Sequence, residues 1–426
     1  MKKVTYFGLL LAVALTGLSS CSSSDDVTSD PTNTKSGESR LTLTISTPVA
    51  KTSSAKGNSF AMGSRATDIK SDPGTTAEQT INRITVGIFS SEGTVRTIQV
   101  LKKSTGTPAA GDRTYSQTAE KAEATIVTNS LTATDKIYVV CNAPEDAFNG
   151  VQSATDFQKV TENIDNALIT PSTGSAGASI IATNIPMYGE STLSSVTDAE
   201  GKATGNFKAD VTVHHQTAKV TLSSLTVDFD QNGAYKDAKF TPTRFFLINV
   251  PNDLKFNTDA TTGTMTLLQG YAQTTEKTTD AYKEYLTTSP LTGGSALSGN
   301  ASATSTNKFG STYYFYTMPN SLTAEGKCTK LVIEGNFKSN SGDTKGTTVY
   351  YPVPLNATYD ATGNATVPTK GGAKLYAVYP DKNYKCTVTI KTKGAGNPYT
   401  DITPQQAAIT VTVSSFTDVE QTTIFN

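Results

Sequence analysis

The residues that could do chemistry are few, and their spacing does not favour catalysis. The 426-residue chain has two histidines, His214 and His215, and adjacent residues of a strand point to opposite faces, so the pair cannot hold a metal ion without a bend. Asp228–Gly233 resembles the first half of an EF-hand loop, but Lys239 stands where the bidentate glutamate should be. A hairpin turn at Asn232-Gly233 is favoured over a calcium site. The sequence has no GxSxG, HExxH or phosphate-binding motif, so we predict a protein that is not an enzyme and needs no cofactor.

One of the four cysteines lies at the end of a secretory leader. Val4–Leu18 is an apolar run that follows two lysines and is too short and too early for a membrane span. The run ends in Leu18-Ser19-Ser20-Cys21, which resembles a bacterial lipobox, in which the cysteine is acylated and becomes the new N-terminus. We therefore expect lipid on Cys21 to anchor a precursor in the outer membrane. The alternative is an ordinary signal peptide with a chance cysteine.

The other three cysteines show no zinc-site spacing and cannot all pair within one chain. Cys141 and Cys386 lie in strand-like runs, which predicts buried free thiols. A disulfide between Cys328 and Cys386 is left open as an alternative.

The elements that carry these residues are predicted to be short β-strands. Alternating apolar and hydroxyl residues recur in short runs between Gly, Pro, Asn and Asp, which is typical of an all-β protein. The chain is 36% hydrophobic, and its length suits two domains. Its formal net charge of -1 gives no reason to expect a nucleic-acid partner.

The pattern of strands and loops divides the chain into four segments. Residues 1–21 are the leader, residues 22–65 are a tether with one strand, and residues 66–205 and 206–426 are two β-sandwich domains. The two domains share the pattern Asn-x-Pro-x-Asp directly after an apolar run, once from Asn142 and once from Asn249. Because Pro removes a ladder donor and Asn favours turns, we predict that each motif ends a strand in the same way.

Two strands near opposite ends of the chain have nearly the same pattern. Residues 41–46 read Leu-Thr-Leu-Thr-Ile-Ser, and residues 409–414 read Ile-Thr-Val-Thr-Val-Ser. Each would point three apolar side chains into the same kind of groove. Residues 48–65 are rich in Ser, Ala, Gly and Lys and end at Arg65, which predicts an exposed, protease-accessible loop. The first strand is thus a candidate for removal, and the second is its candidate replacement.

In their order along the chain, these segments resemble the fimbrillins of Bacteroidetes, a family of FimA-like and minor-fimbria pilins. The resemblance rests on the lipobox, Leu41–Thr47, Gly63–Ala66, Val139–Pro144, Val211–Leu222, Tyr313–Asn320 and Asp401–Phe416. It implies two transthyretin-like Greek-key β-sandwiches in tandem. It also implies polymerisation with other copies or homologous pilin subunits, and a final location in an extracellular fimbrium.

The resemblance further implies where the chain is cut. An arginine-specific surface protease would cleave between Arg65 and Ala66 and so detach the first strand together with the lipid on Cys21. The removable strand carries the apolar residues Leu41, Leu43 and Ile45. Arg40 is a rival cut site, but cleavage there would leave this strand attached.

The same resemblance implies what fills the vacated groove. The C-terminal strand of a neighbouring subunit would enter it, which makes the chain a subunit of the fimbrial shaft. The donor strand carries the apolar residues Ile409, Val411 and Val413. Relatives often have a tryptophan shortly after this strand, where the present chain has Phe416.

A lipid-anchored surface adhesin that binds glycans and does not polymerise is the alternative function. Tyr313, Tyr314 and Tyr316 could line a glycan site. Alternation places Tyr314 and Tyr316 on one face, however, where packing in the core is the favoured expectation.

Overall fold

The fold comes from a computed structural model. It describes residues 38–47, 78–106, 113–118, 121–163, 169–170, 179–180, 184–256, 266–272, 282–288, 290–291, 294–300, 306–310, 313–321, 325–356, 358–359, 365–366, 369–370, 373–374, 376–402, 406–415 and 420–421. All structural statements below concern these residues. No helix among them is long and apolar enough to cross a membrane.

The regular secondary structure of the described chain is almost wholly β-strand, which confirms the predicted all-β class. The first thirteen are β1 (Glu38–Ser46), β2 (Arg83–Phe89), β3 (Val95–Lys103), β4 (Thr114–Gln117), β5 (Lys121–Asn129), β6 (Lys136–Cys141), β7 (Thr161–Asn163), β8 (Ile169–Thr170), β9 (Ser179–Ile180), β10 (Met187–Thr192), β11 (Ser194–Thr197), β12 (Ala203–Thr212) and β13 (His214–His215). One short helix, α1 (Ala154–Lys159), follows β6 and is capped by the Ser153 side chain.

Fifteen further strands follow. They are β14 (Ala218–Val227), β15 (Lys239–Pro251), β16 (Asp253–Lys255), β17 (Leu267–Gln269), β18 (Leu297–Ser298), β19 (Tyr313–Thr317), β20 (Lys330–Lys338), β21 (Thr347–Pro354), β22 (Thr358–Tyr359), β23 (Ala365–Thr366), β24 (Thr369–Lys370), β25 (Ala373–Lys374), β26 (Lys382–Ile390), β27 (Ala407–Ser415) and β28 (Glu420–Gln421). Short 3-10 helices span Glu284–Leu286 and Glu325–Lys327.

The N-terminal half is one ten-stranded sheet that folds over on itself. Its strand order is β11-β12-β1-β5-β4-β3-β2-β6-β10-β13. Apolar residues of β1, β5 and β12 share one core with those of β2, β6 and β10. Where β10 approaches the end of β12, a Cβ at Gly189 would lie 2.3 Å from the Thr212 carbonyl oxygen. Only glycine permits this close approach of the two layers.

The C-terminal half packs two separate sheets face to face. One sheet has the order β19-β14-β26-β27-β28, and the other has the order β17-β15-β20-β21, with β18 also paired to β15. The core between them extends into the N-terminal half, where it covers the outer face of β2 and β6. The rings of Phe148 and Phe256 meet across this region with centroids 5.5 Å apart. Sandwich-like packing is therefore present in both halves, and the transthyretin-like topology stays a prediction.

The two halves repeat one pattern of strand pairing. The N-terminal half contains the neighbours β12-β1-β5 and the neighbours β3-β2-β6-β10. The C-terminal half contains β26-β14-β19 in the place of the first group and β17-β15-β20-β21 in the place of the second. The first strand of each half, β1 or β14, pairs with one antiparallel and one parallel neighbour. The predicted boundary at residue 206 falls inside β12, whose residues pair with β1. The domain limits remain a prediction, and the pairing favours a boundary between β13 and β14.

The two Asn-x-Pro-x-Asp motifs do not occupy equivalent places. Asn142 ends β6 as predicted, with a φ of 65°. Asn249 has a similar φ of 58°, but β15 continues past it and ends at Pro251. Both motifs thus end a strand, as predicted, but not at the same residue of the motif. The Gln269 side chain accepts a hydrogen bond from the Asn249 backbone N–H and bridges the irregularity, which lets the strand resume.

Candidate assembly site

The first strand of the chain lies in the interior of the N-terminal sheet. β1 pairs with β5 in antiparallel register from Glu38 to Ser46, and with β12 in parallel register from Leu41 to Ser46. Leu41, Leu43 and Ile45 are completely buried, as the alternation predicts. The predicted removable strand is therefore an integral part of the N-terminal core.

The groove that holds β1 is lined by apolar side chains from both neighbours. Leu41 lies beside Ile126 and Phe207, Leu43 beside Ala124 and Ala209, and Ile45 beside Ala122 and Val211. All six lining residues are buried. Without β1, the gap between β5 and β12 would be one strand wide and would expose two rows of backbone donors and acceptors. We call this gap the β1 groove.

The predicted donor strand has a different setting. β27 pairs with β26 along nine residues, from Ala407 to Ser415, and on its other edge with the short β28 at two positions. Ile409 and Val411 are buried against the C-terminal core. Val413 lies opposite Tyr384 in the ladder, and its side chain is outside the described part of the chain. The donor strand thus has a place within its own subunit, near the edge of a sheet.

The sites of lipidation and cleavage lie outside the described residues. Cys21, Arg65 and Ala66 belong to the ranges 1–37 and 48–77, so they remain predictions. Arg40 is described: it lies within β1 opposite Val127 of β5. The three other cysteines are buried and none of them forms a disulfide, so the alternative of a disulfide between Cys328 and Cys386 is wrong.

The candidate metal and glycan residues have structural settings. Within the described chain, no group of three or more His, Cys, Asp or Glu residues could hold a metal ion. The turn after β14 contains a hydrogen bond from the Asn232 N–H to the Asp230 carboxylate. The predicted hairpin there is wrong, because β14 and β15 belong to different sheets. Tyr316 is buried as expected, whereas Tyr314 is 57% exposed because β19 lies at the edge of its sheet.

Sequence reasoning missed a buried polar cluster that includes both histidines. Glu78, the first described residue after residue 47, accepts hydrogen bonds from the Lys219 ammonium at 2.8 Å and from the Tyr316 hydroxyl. His214 and His215 alternate between exposed and buried, as predicted, yet the Nδ1 atoms of both lie within 3.3 Å of the Asp381 carboxylate. Both rings therefore share one carboxylate partner, although they lie on opposite faces of the strand. No local sequence motif predicts this cluster, because its members are far apart in sequence.

The ionisation of this cluster follows from its contacts. The hydrogen bond to Asp381 raises the pKa of His214, and burial opposes this only in part. Burial alone would raise the pKa of Asp381, but hydrogen bonds from His214 and His215 outweigh it and lower the pKa of this carboxyl group. Asp381 is thus a carboxylate that both imidazole rings help to keep charged.

Comparison with known proteins gives these strands a context. Residues 58–223 match the family model described as major fimbrial subunit protein (FimA). No sequence among the curated proteins matches the chain.

Solved structures extend the likeness in fold to most of the chain. A fimbrilin (FimA) from Porphyromonas gingivalis has 17% identity and a TM-score of 0.53 and aligns over 89% of this chain and 99% of its own. A candidate cell adhesion protein from Bacteroides eggerthii has 18% identity and a TM-score of 0.54 and aligns over 89% and 96%. One from Parabacteroides distasonis has 15% identity, a TM-score of 0.54 and coverage of 89% and 99%. Residues 58–223 therefore match the fimbrillin family in sequence and most of the chain has a fimbrillin fold, which confirms the predicted resemblance.

Proposed function

We propose that this protein is a shaft subunit of a cell-surface fimbria that assembles by donor-strand exchange. In this proposal it is exported as a lipoprotein acylated on Cys21, cut after Arg65, and polymerised when β27 of one copy enters the β1 groove of the next. The main observation behind this proposal is that β1 fills an interior position of the sheet, while its covalent connection to β2 runs through residues 48–77. One cut in this connection would free a strand that the core cannot lack.

The energetic value of β1 explains why its place must be refilled. Leu41, Leu43 and Ile45 are fully buried, and each such side chain contributes roughly 1.5–3 kcal/mol, so together they contribute about 5–9 kcal/mol. The backbone groups of β5 and β12 that face β1 would also lose their partners. An empty β1 groove is therefore unstable in water and attracts a strand of the same pattern.

The backbone of β1 favours Arg65 over Arg40 as the cut site. Arg40 is half-buried and lies in the ladder between β1 and β5. Its backbone groups are engaged in a sheet, so a protease cannot bind them without first removing the strand. Arg65 lies in the connection between β1 and β2, where a cut separates the two strands covalently.

The donor strand is slightly weaker than the strand it replaces. Its apolar residues are Ile, Val and Val, whereas β1 has Leu, Leu and Ile, which is two side-chain carbons fewer and about 1.6 kcal/mol less burial. A donor from another copy cannot displace a tethered strand that buries more and is held at high effective concentration. Proteolysis after Arg65 removes the tether and so acts as the switch.

Donation from one copy to the next generates a filament. The β1 groove and β27 are different surfaces of one subunit, so each copy both receives and donates a strand. Such head-to-tail contacts do not close on themselves, and they extend into a polymer. The lipid on Cys21 leaves with the detached strand, which allows the subunit to move from the outer membrane into the fimbrium.

A disulfide trap tests the donor role of β27 directly. Val411 lies opposite the free Cys386 of β26, so Val411→Cys should form a disulfide under oxidation and hold β27 in its own subunit. We expect the cut, oxidised variant to form no multimers and to recover assembly when a reductant is added. Ile409→Cys is the matched control, because it faces Val388 and has no thiol partner.

One result of the disulfide experiment would contradict the donor role of β27. Multimers formed by the oxidised variant, with the Cys386 disulfide verified by mass spectrometry, would refute donation by β27. N-terminal sequencing of shed protein gives the companion test, with a mature N-terminus at Ala66 expected. An intact acylated chain without multimers would instead support a tethered surface adhesin.

A further inference from the structure

A buried carboxylate lies where the chain returns from the predicted cleavage loop. Glu78 is only 1% exposed, and a charged group is buried at such a position only when it is paired. Its partners Lys219 and Tyr316 are themselves buried and lie directly opposite each other in the ladder of β14 and β19. Glu78 and Lys219 thus form a buried ion pair, and the Tyr316 hydroxyl donates a further hydrogen bond to Glu78.

His215 adds a second attachment to the same residue. Its Nε2 lies 2.9 Å from the Glu78 carbonyl oxygen, and its Nδ1 lies 3.3 Å from a carboxylate oxygen of Asp381. The two ring nitrogens thus face oxygen atoms of two different segments of the chain. His215, which is completely buried, therefore bridges the Glu78 backbone and Asp381.

These contacts connect Glu78 to the C-terminal half of the molecule. Lys219, Tyr316 and Asp381 belong to β14, β19 and the turn before β26, whereas β2, which follows Glu78, belongs to the N-terminal sheet. Close by, the Ile81 carbonyl accepts a hydrogen bond from the Tyr115 hydroxyl of β4 at 2.7 Å. The segment from Glu78 to Ile81 is therefore held by both halves.

We propose that Glu78, Lys219, Tyr316, His215 and Asp381 form a clamp that holds the start of the mature subunit in place when β1 is removed. The inference rests on the proposed cut after Arg65. Loss of β1 exposes the core face of β2, and fraying of β2 from its N-terminal end would enlarge the β1 groove beyond one strand. The clamp fixes the chain five residues before β2 begins at Arg83, so that cleavage releases β1 and nothing more.

The charges around the clamp make it sensitive to pH. Glu78, Lys219, Asp381, His214 and Lys382 are the charged or titratable groups that face His215 or its partners. A histidine whose pKa is raised stabilises the fold below its ordinary pKa and loses this effect as pH rises through the raised value; His214 is such a group. Asp381, with a lowered pKa, loses its effect only as pH falls below the ordinary range of a carboxyl group. Rising pH therefore weakens the contact of His214 with Asp381, which in turn contacts His215 of the clamp.

Hydrogen exchange of the full chain, before and after cleavage by an arginine-specific protease, tests the clamp. In the wild-type protein we expect residues 78–82 to stay protected after the cut, while exchange rises in β5 and β12. Glu78→Gln should raise exchange at residues 78–82 by at least about tenfold, because a buried charged hydrogen bond is lost. Glu92→Gln, at an exposed turn, is the matched control.

The outcomes separate the clamp from the proposed assembly. Unchanged exchange at residues 78–82 in a folded Glu78→Gln protein would overturn the clamp. If that variant does not fold, His215→Gln serves instead. In a second measurement, the protection of residues 78–82 in the wild-type protein, corrected for intrinsic exchange rates, should fall between pH 6 and pH 9. The fall should be smaller in Asp381→Asn. If the cut wild-type protein keeps residues 78–82 protected but forms no multimers, the proposed donor-strand exchange is refuted and the clamp is not.

Discussion

β1 and β27 have almost the same sequence pattern but opposite settings in the molecule. β1 pairs with β5 along its whole length and with β12 from Leu41 to Ser46, and its three apolar side chains lie in the centre of a core. β27 has one full ladder and a second neighbour at only two positions. Removing β1 opens a gap inside a sheet, whereas removing β27 moves the edge of a sheet inward by one strand. This asymmetry fits the proposed roles, in which β1 is the strand that leaves and β27 is the strand that is donated.

β14 sharpens the comparison, because it occupies in the C-terminal half the position that β1 has in the N-terminal half. Each lies between an antiparallel and a parallel neighbour. β14, however, follows β13 after only two residues and carries Lys219 of the clamp. β1 is separated from β2 by residues 47–82. In the proposed assembly, β1 and β14 therefore differ in their covalent connection to the next strand and not in their place in the sheet.

The largest expected effect comes from the connection itself. Arg65→Ala should abolish processing and leave no multimers, because β1 then stays tethered in its groove. Arg40→Ala is the control and should process normally, since Arg40 lies within the ladder. N-terminal sequencing and detergent-resistant multimers measure both. Normal processing of Arg65→Ala would place the switch elsewhere in the chain.

A pair of core truncations measures the difference between the two settings. Leu43→Ala should lower the free energy of unfolding of the uncut protein by about 2–5 kcal/mol, because Leu43 is enclosed by β5, β12 and the facing layer. Val411→Ala should cost about 1–2 kcal/mol, because fewer atoms are removed and β27 lies near an edge. Urea denaturation of both variants gives the comparison. Equal losses would show that the two strands are held alike.

The smallest expected effect concerns the fit of the donor. Val411→Leu restores one of the two side-chain carbons that distinguish the strands, worth about 0.8 kcal/mol in the β1 groove. We expect multimers of this variant to dissociate about fourfold more slowly in mild detergent. Val411→Ala should speed dissociation in the same assay. Faster dissociation of Val411→Leu would mean that the groove does not receive this side chain.

The strand patterns could be predicted because they depend on local alternation. Leu41, Leu43 and Ile45 are inward-facing wherever β1 pairs, and Asn142 turns the chain wherever β6 ends. The same reasoning placed the end of β15 too early at Asn249, because the side chain of Gln269, distant in sequence, binds the Asn249 N–H and the strand continues to Pro251. It also overlooked Glu78, whose partners lie more than a hundred residues away.

The sequence by itself determined the all-β class, the apolar faces of both end strands and the presence of an arginine in the connection after β1. These properties follow from residue type and from the two-residue alternation of side chains between the faces of a strand, which holds whatever the neighbouring strands are. Only the tertiary structure decided that β1 is interior, that β27 lies near an edge, and that Glu78 joins the two halves. Such facts depend on which strands become neighbours, and pairing between segments far apart in the chain leaves no local mark in either one.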